Sequence, residues 1–330
     1  MSPFFLGTKV ILCDNLPCVT APPREGGPIV QCRKLSGGFL HNFPEDTETF
    51  SPGFALFDSG MGGLSVLRHF LDQFPQDDFL YLGDMARFPY GSKSRETIRR
   101  FALEDAATLM AFRPKTLVAA CFTVSSQALD DLVEFCAPVR VVGMVEAGAR
   151  AALSRTRTGR VGVLGTEGTI QSGAYPAVFR RLSGQEPEVF GVACPLFAPM
   201  VEEGWIDGDI PESIAREYLS VFLESRTSGV DTVILGCTHY PPLLPLLTRL
   251  FPEMAFIDPG LELAKSEVEA HNIKERKGKG QVSYLVTDGR ERFQRVGQHL
   301  LGRHIENVHE VTINSGDLSM VYSQGGLSEK

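Results

Sequence analysis

Between residue 54 and about residue 310 the chain alternates short apolar runs with amphipathic segments, and this alternation constrains the fold more than any other feature. FALFD at 54–58 is an apolar run that stops at SGMGG. LSVLRHFLDQF follows with apolar residues three and four apart, the period of a helix. DFLYLGD reads as the next strand. Ser94 to Met110 reads as a long amphipathic helix opened by Ser-x-x-Thr, TLVAAC as a strand and SSQALDDLVEF as a helix. VRVVGM and EAGARAALSR give one more strand and helix. The pattern then restarts: GRVGVLG, TIQSGAYPAVFRRL, PEVFGVAC, ESIAREYLSVFLE, DTVILG, LLPLLTRLF and AFID alternate strand with helix. QVSYLVTD, GRERFQRVGQHLLG and NVHEV add a late strand, a helix and a further strand.

Strands that alternate with helices imply parallel sheets covered on both faces. Two such runs in succession predict an α/β fold of two pseudo-symmetric lobes. Each lobe is a mostly parallel sheet flanked by helices, and the two face each other across a cleft. Residues 1–52 differ. They hold seven prolines and two Gly-Gly pairs without sustained periodicity, and read as a poorly ordered or loosely docked extension. The segment 315–330 reads as a flexible tail.

The third strand of each run ends in a cysteine. LVAACFTVSS carries Cys121, and LGCTHYPP carries Cys237 with Thr238 and His239. In open α/β sheets ligands bind beyond the carboxyl ends of the strands. If the lobes face each other, one ligand fits between the two thiols. Two acid/base groups on opposite faces of a carbon bearing an acidic C–H can invert it, one taking the proton and the other returning it. Cysteine suits the task when its pKa is tuned so that thiol and thiolate coexist. Asp58, at the end of the first strand, is placed to hydrogen-bond a substrate amine or to orient Cys121. His239 is placed to polarise Cys237, and Glu202 or Glu203 to pair with His239.

The bulk composition excludes other classes. Lys and Arg number 32 against 40 Asp and Glu, a formal charge of −8, which argues against nucleic acid as a partner. The densest basic stretch, ERKGKG at 275–280, reads as a solvated loop. No apolar run approaches the roughly 20 residues that span a bilayer, and the N-terminus lacks a basic region ahead of its apolar patches. No membrane association and a cytoplasmic location are therefore expected. Seven cysteines in a chain this long, with no CxxC, read neither as a disulfide framework nor as a zinc site. Cys136 and Cys194 read as packing residues, and Cys13, Cys18 and Cys32 as incidental. GMGG lacks the Lys-Ser/Thr of a phosphate-binding loop and the full dinucleotide fingerprint, so it reads as a tight strand–helix turn.

FDSGMGGLSVL, YLGDMARFPYGSKS, ACFTVSS, VVGMVEAGARAA, VGVLGTEGTI, ACPLFAPMVEEG, LGCTHYPPL and FIDPG, in this order, resemble glutamate racemase of the cofactor-independent aspartate/glutamate racemase superfamily. The resemblance covers residues 54 to about 302. It implies interconversion of L- and D-glutamate for peptidoglycan, without pyridoxal phosphate or metal, by a protein that works as a homodimer. Cys121 and Cys237 would be the proton donor/acceptors, assisted by Asp58 on one side and by Glu202 and His239 on the other. Asp58, Ser59, Tyr90, Gly91, Thr123, Thr238 and His239 would contact substrate, together with the residue at position 122. The family implies a first lobe from 53–145 plus 255–314 and a second from 146–254.

One position departs from the family pattern. Phe122 stands where the family usually has an asparagine whose amide binds substrate. A phenyl ring makes no such hydrogen bond. Aspartate or a hydantoin as substrate, or a catalytically silent ligand-binding protein, therefore stand as alternatives to glutamate racemisation. A thiol redox role for Cys121 and Cys237 ranks last, because nothing like a CxxC joins them.

Overall fold

The computed structural model of the chain describes residues 50–184, 187–224, 227, 229–270 and 279–313. Residues 1–49 and 314–330, with most of the 275–280 loop, lie outside the described residues, and so do Cys13, Cys18 and Cys32.

Among the described residues ten strands form two sheets, and every pairing is parallel. β1 (Phe54–Asp58), β2 (Phe79–Gly83), β3 (Thr116–Ala119) and β4 (Arg140–Gly143) belong to the first sheet. β5 (Arg160–Gly165), β6 (Glu188–Ala193), β7 (Thr232–Gly236) and β8 (Ala255–Ile257) make the second. β9 (Val282–Val286) and β10 (Val308–Glu310) return to the first sheet on the β2 side. The orders are β10-β9-β2-β1-β3-β4 and β6-β5-β7-β8. With β9 and β10 set aside, both sheets share one winding: the second strand on one side of the first, the third on the other, the fourth beyond the third.

This repeated winding is the duplication suggested by the two runs of the sequence. One boundary shifts. Ala255–Ile257 pairs with Thr232–Ile234, so the second sheet extends past residue 254 to Ile257. The AFI segment is apolar and follows the helix after β7, so it completes the second winding rather than starting the return. Residues 50–52, expected in the extension, join the fold: Phe50 packs on the apolar cluster under the first sheet, and the Pro52 carbonyl accepts from Lys115 N–H at 3.2 Å.

Among the described residues twelve α-helices cover the sheets. α1 (Leu64–Gln73), α2 (Arg95–Met110), α3 (Phe122–Gln127), α4 (Leu129–Cys136) and α5 (Met144–Arg155) lie in the first half. α6 (Glu167–Gln171), α7 (Ala174–Ser183), α8 (Phe197–Glu202), α9 (Asp209–Ser220) and α10 (Leu244–Leu250) follow. α11 (Pro259–Ala270) and α12 (Arg290–Leu301) complete the set. Ser94 caps α2 as the Ser-x-x-Thr pattern anticipates, its hydroxyl accepting from Thr97 N–H at 3.3 Å. Two segments read as single helices are each broken in two. TIQSGAYPAVFRRL divides at Gly173, whose φ of 67° is left-handed and ends the first piece. SSQALDDLVEF divides at Ala128, at φ −135°. The helix α11, after FID, had no counterpart in the sequence reading. It packs on α1 and α5 and also meets β7 of the second sheet, and so bridges the two sheets.

β1, β2, β3 and β7 are buried along their whole length. Strands covered on both faces need no polar residue, which is why they read as continuous apolar runs. One apolar cluster joins Leu56 and Val118 of the first sheet with Leu164, Val233 and Leu235 of the second. The two sheets therefore share a packed seam, and their carboxyl ends are held in a fixed relation.

Candidate active site

In both sheets the winding reverses between the first strand and the third, and this switch point opens a crevice at the strand ends. Asp58 and Ser59 end β1, and Cys121 lies beyond β3, so both flank the first crevice. Thr166 follows β5 and Cys237 follows β7 at the second. Both cysteines are buried, at 5% and 6% exposure, and each belongs to one of the apolar clusters at its edge with polar neighbours.

At the first corner the Cys121 Sγ donates to Ser59 Oγ at 3.8 Å. Burial, and then the negative charge of Asp58, push the Cys121 thiol up to about 12. Asp58 is itself buried, and burial raises its carboxyl against the opposing charge of His239. Its Oδ2 accepts from Gly60 N–H at 3.1 Å.

The second corner is more polar. His239 Nε2 lies 2.9 Å from Glu202 Oε1, and both side chains are almost fully buried. Burial alone would push His239 down. Its hydrogen bonds to Cys237 and Glu202 outweigh burial and push it up to about 10. An imidazolium beside Cys237 is the counter-charge that a thiolate needs. Of the two adjacent acids, Glu202 is the one that meets His239.

The corners interlock. Thr238 Oγ1 donates to Asp58 Oδ1 at 3.5 Å, and the Thr238 carbonyl accepts from Ser65 Oγ at 2.7 Å. A Cβ on Gly62 would come within 2.5 Å of His239 Nδ1, so only glycine lets the β1–α1 turn abut the second corner. The reverse contact is matched: Thr123 Oγ1 lies 3.0 Å from Thr166 Oγ1, and Gln127 Nε2 donates to the Gly168 carbonyl at 3.1 Å. Each cysteine corner thus docks on the first-strand turn of the opposite half. One carboxylate, Asp58, touches both corners.

Gly91 sits against this second seam. Its carbonyl accepts from Gly168 N–H at 3.0 Å, and a Cβ there would meet Thr166 Cβ at 2.9 Å. Tyr90 points elsewhere. Its side chain is wholly buried, and its hydroxyl lies against Asp84 and, at 2.9 Å, Asp105. Arg87 reaches the same cluster, donating to Asp84 at 2.5 Å, to Asp105 at 2.6 Å and to Glu104. The Tyr90 phenol is therefore engaged by this cluster rather than by the thiol corners. The phenol anchors the loop from inside, which leaves backbone atoms of Tyr90 and Gly91 to face the crevice. Phe122 opens α3 at 3% exposure, within the apolar cluster that also holds Met144, Ala147 and Cys237. Cys136 and Cys194 are fully buried, as packing residues should be. Among the described residues no group of three or more His, Cys, Asp or Glu side chains is arranged to hold a metal.

Residues 64–266 match the model of the Asp/Glu/Hydantoin racemase family. The chain belongs to this family. It is an amino-acid racemase with two parallel sheets facing one crevice. A glutamate racemase of Geobacter metallireducens is 43% identical over 265 residues, 79% of this chain and 96% of the relative. The crystal structure of a Francisella tularensis glutamate racemase in complex with D-glutamate superposes with a TM-score of 0.73 at 33% identity, covering 81% of this chain and 99% of the other. A Thermus thermophilus glutamate racemase in complex with β-chloro-D-alanine gives a TM-score of 0.71 at 38% identity, covering 81% and 98%.

Around the thiols of this racemase the structure adds groups that the sequence reading did not single out. Thr166 and Thr169 lie within TEGT, where Thr166 caps α6 by accepting from Thr169 N–H at 3.2 Å. A threonine directly after an apolar strand and three residues before another is a capping signal that points to this turn. Ser65 and the Asp84–Arg87–Asp105 cluster carry no such local signal, because their partners are distant in sequence.

Proposed function

We propose that this racemase interconverts L- and D-glutamate by proton transfer at Cα between two thiols, Cys121 and Cys237. The observation that carries the reading is the bridge from Cys121 through Asp58 and Thr238 to Cys237, which brings both thiol corners to one carboxylate. The relatives described above, all named glutamate racemases, support the choice of substrate.

The two corners suit opposite tasks. Cys121, pushed up to about 12, rests as a thiol and is ready to give a proton. Cys237, beside the His239 imidazolium, is the corner suited to take one. In one direction the Cys237 thiolate removes the α-proton, forming S–H as the C–H bond breaks. The electron pair moves into the substrate carboxylate, where hydroxyls and backbone N–H groups receive the charge. Ser59, Thr123, Thr238 and the Tyr90–Gly91 backbone are the candidates for this role. Cys121 then delivers its proton to the opposite face. The reverse reaction swaps the roles.

Asp58 holds the substrate ammonium. Burial is the larger cause of the raised Cys121 value and Asp58 the second, so this pairing lowers Cys121 by offsetting the second cause. Glu202 keeps His239 charged and oriented.

The same proposal includes a first lobe made of both ends of the described chain and a second lobe ending at Ile257. It also includes a cytoplasmic homodimer whose D-glutamate supplies peptidoglycan. Among the described residues no helix is long and apolar enough to cross a membrane. A second reading rests on Phe122: an apolar ring at the first corner favours a related substrate, such as aspartate or a hydantoin, or ligand binding without turnover. Incubation with L-glutamate, L-aspartate and a hydantoin in deuterated water separates these readings. Deuterium entering Cα of glutamate with decay of optical rotation supports the first. Exchange confined to another substrate, or a melting shift with no exchange at high enzyme concentration, supports the second.

A further inference from the structure

Arg292 stands in the first turn of α12, the helix that follows β9 and opens beyond the carboxyl end of the first sheet. The neighbouring Phe293 is fully buried, with its ring centroid 5.9 Å from that of Tyr81 and 6.0 Å from that of Tyr284. The backbone carrying Arg292 is thus anchored in the first half of the structure. Its guanidinium crosses to α8 in the second half, where Nη2 donates to Glu202 Oε2 at 2.9 Å. The other oxygen of that carboxylate lies 2.9 Å from His239 Nε2.

An exposed arginine on an exposed acid contributes little, because solvent screens the pair. Here the acid is 6% exposed, although Arg292 itself is 48% exposed. With one oxygen committed to His239, the second needs a donor or is left buried and unpaired. We infer that Arg292 is a positioning residue for the Cys237 half of the reaction: from the opposite sheet it fixes Glu202, so that Glu202 holds the His239 ring against Cys237. Arg292 never touches substrate. It ties the readiness of one thiol to the side-by-side placement of α12 and α8.

The inference rests on the proposed two-thiol reading, and the test separates the two. Arg292→Ala, Arg292→Lys and, as a control, Arg303→Ala are compared with wild type. Arg303 pairs with Asp72, and both side chains are about half exposed at the surface. Racemisation kinetics are measured together with the rates at which iodoacetamide labels Cys121 and Cys237, resolved by peptide mass spectrometry. In Arg292→Ala, kcat falls roughly tenfold, KM changes less than about twofold and Cys237 labelling slows while Cys121 labelling does not. Arg292→Lys retains most activity, guanidinium at tens of millimolar partly rescues Arg292→Ala, and Arg303→Ala behaves as wild type.

Wild-type turnover by Arg292→Ala overturns the inference. Equal slowing of both cysteines with a lowered melting temperature and no rescue by guanidinium also overturns it, in favour of a purely structural role. If wild type fails to racemise glutamate, the substrate reading falls, while the ratio of cysteine labelling still decides the role of Arg292.

Discussion

Asp58 and Thr238 meet across the seam between the two sheets, Thr238 Oγ1 lying 3.5 Å from Asp58 Oδ1 although 180 residues separate them. Through this contact the carboxylate that raises Cys121 also reaches the residue beside Cys237. Replacing Asp58 therefore acts on both halves of the reaction. Burial holds Cys121 up most and the Asp58 charge next; Asp58→Asn removes the second cause, so Cys121 in the free protein reacts faster with iodoacetamide. Turnover falls at least about 100-fold, because the substrate ammonium loses its partner. Labelling rates and racemisation kinetics on one preparation check both statements.

His239 sets a pH dependence of stability. Its folded value, about 10, lies above its ordinary 6.5. A raised value means that folding favours the protonated form. The stabilisation is complete below pH 6.5 and is lost as pH rises through about 10. Melting temperatures of wild type and His239→Gln should differ most at pH 6 and converge near pH 10.5. A gap that stays constant across this range contradicts the assignment of an imidazolium.

Gly62→Ala tests the interlock. The new methyl meets the His239 ring and the Thr238 hydroxyl at closer than van der Waals range, and those side chains are held by Glu202 and Asp58. Overpacking of this kind costs about 1–3 kcal/mol. The variant should lose stability by that amount in urea titration and lose most activity as well, because the displaced residues flank Cys237.

Much of this arrangement was readable in the sequence, and the unread part has a common cause. The strand–helix alternation and the two third-strand cysteines follow from apolar runs that end at reactive residues, so the repeated winding and the paired crevices could be expected. The Ser94 cap followed from its local pattern. Gly173 and Ala128 broke two helices that periodicity alone joined: the left-handed turn at Gly173 and the non-helical backbone at Ala128 change direction without interrupting the apolar spacing. The pattern placed AFID in the second run, and only the boundary implied by the family resemblance parted it from its partner strand β7. The place of the Tyr90 side chain was not readable. Its destination depends on Asp84, Arg87 and Asp105, which β2 and α2 bring together only in the fold.

Tyr90→Phe tests the anchoring role of the phenol. The hydroxyl lies between two buried carboxyls, and burial, then Asp84, raises the Asp105 carboxyl well above its usual range. Removing the hydroxyl leaves Arg87 as the partner those carboxyls share and takes the phenol away from Asp105 Oδ2, a loss of about 1–3 kcal/mol. The expected kinetic signature is a raised KM with kcat less affected, since the loop carrying Gly91 loosens while both thiols stay in place.

Phe122→Asn tests the departure from the family pattern. Phe122 fills part of an apolar cluster, so a smaller polar side chain there should lower stability by about 2–4 kcal/mol in urea. The amide also regains a hydrogen-bonding group at the first corner. Activity per folded molecule should therefore shift towards glutamate over aspartate.

The central claim is that two sulfurs serve one α-carbon from opposite faces. Its most direct test is the fate of the α-hydrogen of each glutamate enantiomer in deuterated water, for wild type, Cys121→Ser and Cys237→Ser. The account predicts that wild type places solvent deuterium in the product enantiomer, and that each single variant loses racemisation by several orders of magnitude. Racemisation that survives the loss of either cysteine, or a product that keeps its original hydrogen on every turnover in the presence of both, would contradict it.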